Sequence, residues 1–273
     1  MSLPFVQRWC ERRERRLPVG GVIDTARYRV VVIEQALARA FVIRHHYAGS
    51  FPAARLSVGL LEAGAGGAPE ALVGVAVFGV PMNQQVIPAH LGIDPLAGVE
   101  LSRLVLLDRV AGNAESWFMA RAFRLLREEK PAVIGVVSYC DPVPRRSSAG
   151  ELVLPGHVGT VYQALNAAYL GRGSARTLLL GPDGRVISER TLSKLRRGES
   201  GAAYAERTLL AAGAPARRHG EAPCAWLGRI RACGVLQRIR HGGNHIYAFG
   251  LEKRLRTRLR SLADYPKHQQ QAA

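Results

Sequence analysis

Eight residues, Ala132 to Tyr139 (A-V-I-G-V-V-S-Y), limit what this chain can fold into more than any other stretch, because they are nearly all apolar. Such a run has the pattern of a strand buried on both faces. A strand of that kind sits inside a sheet covered above and below, which places the chain in the layered α/β class. Helical periodicity from Ala114 to Lys130, stopped by Pro131, supplies one cover. A second helix is expected over Val161 to Tyr169.

Upstream, Tyr28 to Ile43 reads as a short strand running into a helix, and Arg44 to Ser50 as a polar turn. Arg55–Glu62 and Ala71–Val80 are apolar and rich in β-branched residues, with the Gly-rich link 63–70 as a hairpin loop. Val99 to Leu107 is a further strand, and Thr177–Leu180 with Arg185–Ser188 forms a hairpin through Gly-Pro-Asp-Gly. The expected fold is therefore a central mixed or antiparallel sheet flanked by helices. Beyond it the chain reads as helical and basic, with helices at Ala202–Ala212 and Leu227–Ile239, strand-like His245–Phe249 and a disordered end at Gln269–Ala273. This divides the 273 residues into a basic N-terminal extension (1–27), a catalytic domain (28–190) and a basic C-terminal appendage (191–273).

A chain of this length buries a sufficient core without staples. Cys10, Cys140, Cys224 and Cys233 form no C-x-x-C pair, so neither a zinc ribbon nor a disulfide framework is indicated. The longest apolar run, Ala71 to Pro81, is too short to cross a bilayer, and charges from Arg8 to Arg16 occupy the place of a signal-peptide core. No membrane association is expected, and the cytoplasm, that of the host cell if a phage encodes the protein, is the expected location.

Net charge is +17. Between Arg190 and Arg260 there are 16 Lys and Arg against 4 Glu. A surface so basic gains counterion-release energy on any polyanion, and arginine in particular suits bidentate phosphate contacts. Double-stranded DNA is the expected partner, with the appendage as its contact. The oligomeric state is left open, a homodimer included.

Four constellations carry chemistry. Arg109 to Ser116 (R-V-A-G-N-A-E-S) joins a strand to a helix in the R-x-x-G-x-A form of an acyl-CoA pyrophosphate loop, where backbone N–H groups and the helix dipole favour phosphate. Asn113 or Ser116 could equally cap the helix. At the end of the buried strand stand Ser138, Tyr139 and Asp141, followed by His157 between glycines and by Tyr162, Asn166 and Tyr169, the first two of which would share a helix face. Arg44 to Pro52 (R-H-H-Y-A-G-S-F-P) offers a metal ligand, a general base or a stacking platform. In Glu100-Leu101-Ser102-Arg103-Leu104, alternation puts Glu100, Ser102 and Leu104 on one side and Leu101 and Arg103 on the other.

The element order resembles the GNAT acetyltransferase fold. The H-Y turn, the E-L-x-R-L strand, the A-E-S-W-F helix start, the S-Y-x-D-P strand end and the string G-H-V-G-T-V-Y-Q-A-L-N occur in an order similar to that of the Mom family of phage proteins. The resemblance runs from Ile43 to Gly171, about half the chain. It implies a GNAT-like transferase that converts the N6 amine of adenine in DNA to a carbamoylmethyl derivative, protecting phage DNA from restriction. The catalytic set it suggests is His46, Tyr47, Glu100, Ser138, Asp141, His157 and Tyr162. Acetyl-CoA or a related acyl-CoA would lie on Leu104, Val105, Arg109, Gly112, Asn113, Ala114, Ser116, Asn166 and Tyr169. Iron would lie on His46 and His157. Two departures, the long stretch Val143–Pro155 and Ala48 where the family has a hydroxyl residue, leave the substrate open. The competing readings are an acetyl-CoA-dependent N-acetyltransferase of a protein or small amine, and a non-enzymatic basic DNA-binding protein.

Overall fold

In the computed structural model, which describes residues 5–10, 13–18 and 22–267, the chain divides into two compact units. The first comprises residues up to Pro142, His157–Arg172 and the segment from Asn244 onward; the second comprises Val143–Gly156 and Gly173–Gly243. The expected disordered end, 269–273, lies outside the described residues.

In chain order the first unit opens with a hairpin, β1 (Phe5–Cys10) and β2 (Arg13–Pro18), followed by β3 (Tyr28–Val32), α1 (Gln35–His45), β4 (Ala54–Glu62) and β5 (Ala71–Gly79). Then come α2 (Val86–Leu91), β6 (Gly98–Leu106), α3 (Ala114–Glu129) and β7 (Gly135–Cys140). The chain leaves for β8 (Arg145–Arg146) and β9 (Leu152–Leu154) of the second unit and returns as α4 (Thr160–Ala164) and β10 (Ala168–Arg172). A longer excursion carries β11 (Arg176–Leu180), β12 (Val186–Ile187), α5 (Glu189–Arg197), α6 (Ala202–Ala211), α7 (Pro223–Ala232) and β13 (Gln237–His241). The first unit closes with β14 (His245–Gly250) and α8 (Lys253–Arg258).

Seven strands make the main sheet, in the order β10-β14-β7-β6-β5-β4-β3. All neighbours are antiparallel except β6 and β7, so the expected mixed sheet flanked by helices is present. As the apolar run demands, β7 is buried on both sides. Val136 and Cys140 join the core with Phe118, Met119, Ala122 and Leu126 of α3, while Val137 packs with Ile87 and Leu91 of α2. At about 25 cal/mol per Å² of apolar surface removed from water, burial of these faces is the main force holding the layers together.

Three expectations need correction. The last 83 residues do not form an appendage: β14 lies between β7 and β10, pairing with both, and the boundary at 190 falls inside α5. The basic unit is instead inserted at two points, and the long stretch after Asp141 is its first limb. The helix expected over Val161–Tyr169 is only Thr160–Ala164, because Asn166 takes φ +56° and breaks it; Tyr169 is then in β10, and Asn166 shares no helix face with Tyr162. The helix expected over Leu227–Ile239 ends at Ala232. Gly234 at φ +71° turns the chain, and Gln237–His241 pairs with β11.

Within the second unit, Ile187, Leu192, Leu195, Leu209, Trp226 and Ile230 form a core of their own. Its α5 had no strong apolar signal, but Ser188 Oγ accepts from Thr191 N at 3.1 Å as an N-cap and Gly198 ends the helix at φ +62°. The unit carries 15 Lys and Arg against 6 Asp and Glu. Glu189, Glu199, Glu206 and Glu221 are each engaged by arginines of the same unit. What is left over is therefore almost purely cationic.

Candidate active site at the fork of the sheet

The pairing of β6 with β7 lasts for three residues, Gly98↔Gly135, Val99↔Val136 and Glu100↔Val137, and then stops. Its cause is local. Between Arg103↔Val77 and Leu101↔Phe78 the register against β5 slips by one residue, making Ser102 the extra residue of a β-bulge. The bulge bends β6 away from β7 and leaves a fork at the carboxyl ends of two parallel strands, the usual place for a site in such sheets. It also overturns the simple alternation expected for this strand. Glu100 and Arg103 are both carried to the face of Val77 and Val105, while Leu101 and Leu104 lie on the core face with Phe78 and Ala76. Close approach is needed here: a Cβ on Gly79 would lie 2.7 Å from Ser102 Oγ.

Into this fork the polar turn after α1 brings His46 and Tyr47, with ring centroids 4.1 Å apart. From the other side, His157 N donates to the Asp141 carbonyl at 2.8 Å, which draws the G-H-V-G loop against the end of β7. The Tyr47 hydroxyl and His157 Nε2 are 3.4 Å apart. Ser138, fully buried, donates to the Leu101 carbonyl at 3.2 Å and so bridges the fork. Tyr162, buried at the start of α4, hydrogen-bonds Ser138. Gly159, at φ +80°, makes room for this packing: a Cβ there would stand 2.5 Å from Cys140 Sγ and 2.7 Å from Tyr247.

Electrostatics ties the cluster together. Burial pushes His46 down to about 3, with Arg103 and His157 adding to the effect, so its imidazole is neutral at physiological pH. Its Nδ1 accepts from Ala48 N at 3.1 Å, which assigns the ring hydrogen to Nε2. Glu100 is raised by burial, against the opposing pull of Arg103 and Ser102. A carboxylate held in this way is more basic than one in water. Tyr139, facing the same side as Glu100, is pushed up to about 12 by burial and by that carboxylate. Arg103 is anchored on the turn, donating to the Ser50 carbonyl at 3.1 Å and to Ser50 Oγ at 3.0 Å. Its charge couples to Glu100 and Tyr47.

All seven residues expected to be catalytic thus surround one fork, although for Asp141 the contact in hand is made by its carbonyl. Arg103 was not among the expected set, because its role depends on the bulge, and a single bulge leaves no mark on an apolar alternation.

The expected cofactor residues fare differently. Arg8 of β1, only 5% exposed, inserts its guanidinium into the loop after β6. It donates to the carbonyls of Leu107 (2.9 Å), Asp108 (3.3 Å), Val110 and Ala111 (2.9 Å) and to Glu115 Oε1 (2.8 Å). A loop that turns four carbonyls and a carboxylate toward an arginine presents the wrong polarity to a pyrophosphate. Arg109 is paired with Glu62 at 2.8 Å, Asn113 Oδ1 accepts from Ile23 N at 3.0 Å, and Ser116 donates to the Asn113 carbonyl at 3.3 Å. Gly112 is half-buried within this loop. Leu104, Val105 and Ala114 belong to the apolar core. Asn166 is exposed at its turn, and the Tyr169 hydroxyl meets His245 Nδ1 at 2.8 Å. These residues do not fit an acyl-CoA pyrophosphate in this arrangement.

Iron fits no better. Nδ1 of His46 is taken by Ala48, Nε2 of His157 faces Tyr47, and among the described residues no group of three His, Cys, Asp or Glu side chains is placed to hold a metal ion. No described helix is long and apolar enough to cross a membrane.

Fold and site together define an α/β protein with a neutral imidazole, a basic carboxylate and an arginine gathered where two parallel strands part. The chain belongs to the Mom protein family, whose model matches residues 27–222. It is similar to the methylcarbamoylase Mom of Escherichia phage Mu, with 28% identity over 180 residues, 64% of this chain and 66% of that protein, just under two thirds of the relative's length. Among solved structures it matches a tandem GNAT protein from the clavulanic acid biosynthesis pathway, at a TM-score of 0.39 and 9% identity over 82% of this chain and 99% of that one.

Proposed function

We propose that the chain modifies adenine in DNA at the exocyclic N6 amine, in the manner that the name of its phage Mu relative describes, and that the fork of the main sheet is where the reaction occurs. The observation that carries this reading is Glu100, a desolvated carboxylate beside Arg103 at the fork of a protein whose family includes a methylcarbamoylase. Adenine N6 is a weak nucleophile because its lone pair is delocalised into the ring. An enzyme acting there must hold the base closely and remove a proton as the new bond forms. In this reading the N6 lone pair forms a bond to an electrophilic carbon of the donor, whose leaving group departs with the electrons of the broken bond, while Glu100 takes the N6 proton. Tyr47 provides an aromatic face for a base taken out of the duplex. Arg103 steadies the negative charge of Glu100 before the transfer, and His46, neutral, offers its Nε2 hydrogen as a donor. Acyl-CoA and iron are not part of the reading, since the residues expected for them are otherwise engaged, and this also disfavours an ordinary N-acetyltransferase.

Mass spectrometry of nucleosides from DNA of cells producing the protein tests it. A deoxyadenosine heavier by a carbamoylmethyl group is expected, and it should vanish with Glu100→Gln. Unaltered deoxyadenosine in cells with abundant folded protein would overturn the assignment.

A further inference from the structure

The family match begins at residue 27, yet β1 reaches the site. Arg8 and Trp9 are neighbours on a strand and so point to opposite faces. Arg8 is locked into the loop after β6 by its five acceptors, fixing the position of the strand. Trp9, 8% exposed, stands edge-on to Tyr47, with centroids 6.2 Å apart and planes at 88°. Its indole Nε1 is buried and has no hydrogen-bond partner. Buried donors are almost always satisfied, and an exception at the edge of a site calls for an acceptor that arrives from outside.

We propose that Trp9 is a base-reading residue: with Tyr47 it forms an aromatic corner for the base, and its indole N–H donates to a ring nitrogen of that base. This rests on the reading that a DNA base enters the fork. The indole is a donor only, so it cannot pair with the N6 amine. It can pair with N1, N3 or N7, which leaves the amine to Glu100 and separates recognition from chemistry. The nitrogen is covered, so the acceptor reaches it as Tyr47 shifts. The 3.4 Å contact from Tyr47 to His157 is long enough to give way. Arg8 acts through Trp9 as a positioning residue, holding the indole where the base arrives.

The test is binding of the full chain to labelled short duplexes with adenine, cytosine, guanine or thymine opposite an abasic position, with 1-, 3- or 7-deazaadenine there, and with no base at all. Trp9→Phe keeps an aromatic ring and removes the N–H. It should weaken the adenine duplex about tenfold, or ~1.4 kcal/mol, and leave the baseless duplex unchanged. One deazaadenine should weaken the wild type by a similar factor and the variant by no more. Equal binding of every duplex by wild type and folded Trp9→Phe would overturn the proposal. If the variant does not fold, the deaza series on the wild type decides alone: one sensitive position upholds the inference and a flat series overturns it. The adenine reading fails separately. A Trp9 effect on another base, with no modified deoxyadenosine in cells, keeps Trp9 as a base reader and removes adenine as the substrate.

Discussion

Among single residues His46 and Glu100 give opposite signatures with pH. His46 is depressed from 6.5 to about 3, so the folded state refuses a proton that the unfolded chain accepts. Its contribution to stability is complete above pH 6.5 and is lost progressively as pH falls toward 3. At about 1.4 kcal/mol per unit, the loss reaches roughly 3 kcal/mol by pH 4. Denaturant melts of His46→Gln should therefore show a shallower decline between pH 6.5 and 4 than the wild type, and parallel declines would remove the assignment. Glu100 is raised, so an activity that needs its carboxylate should increase as pH climbs through that elevated value. Initial rates against pH should show this acidic limb in the wild type and at most ~1% residual rate in Glu100→Gln, in line with the 10²–10⁴-fold worth of a general base. The residue types at the site were legible in the sequence because His46-Tyr47, Ser138, Asp141 and His157 are polar groups where apolar strands and helices stop. Trp9 and Arg8 were not, since an aromatic within a run of arginines looks like a solvated charged stretch until the strand is placed.

Elements explain which expectations survived. β4, β5, β6, β14 and α3 carry regular patterns, and their expected bounds agree nearly to the residue. By contrast, β7 starts three residues later than its apolar run, β10 begins within the helix expected over Val161–Tyr169, and the expected α4 and α7 run too long because single backbone positions, Asn166 and Gly234, end them. The position of β14 was invisible for another reason: periodicity reports that His245–Phe249 is a strand, but not which strands it lies between. Gly159 sets the seat of α4 by both its φ and its contacts, so Gly159→Ala should cost roughly 2–3 kcal/mol, as residues forced into that region do. A thermal melt would register the loss, and modification should fall with it because His157 lies two residues away. An unchanged melting temperature would show that the loop adapts to a side chain.

The two insertion points show how the whole molecule could be divided. His157 N bonds to the Asp141 carbonyl, and Arg172 is the ladder partner of His245, so the chain ends left by removing the basic unit already lie side by side in the first unit. Replacing Val143–Gly156 and Gly173–Gly243 by short turns should leave a folded sheet with its fork intact. Cutting the chain after residue 193 removes β14 and α8, and that product should not fold. If the basic unit makes about five phosphate contacts, the wild-type log K should fall with log salt at a slope of about −4.5, and the doubly shortened protein should lose most of that slope. A folded, shortened protein with the original slope would move DNA binding to the first unit.

The placement of β14 also has a consequence for the order of events in synthesis. Until residue 250 has emerged, β7 and β10 have no strand between them, so the sheet that holds the fork stays incomplete through all the synthesis that precedes the end of β14. A nascent chain therefore has a finished basic segment before it has a finished main sheet. Any frameshift or stop before β14 leaves a product in which β7 and β10 have no strand between them.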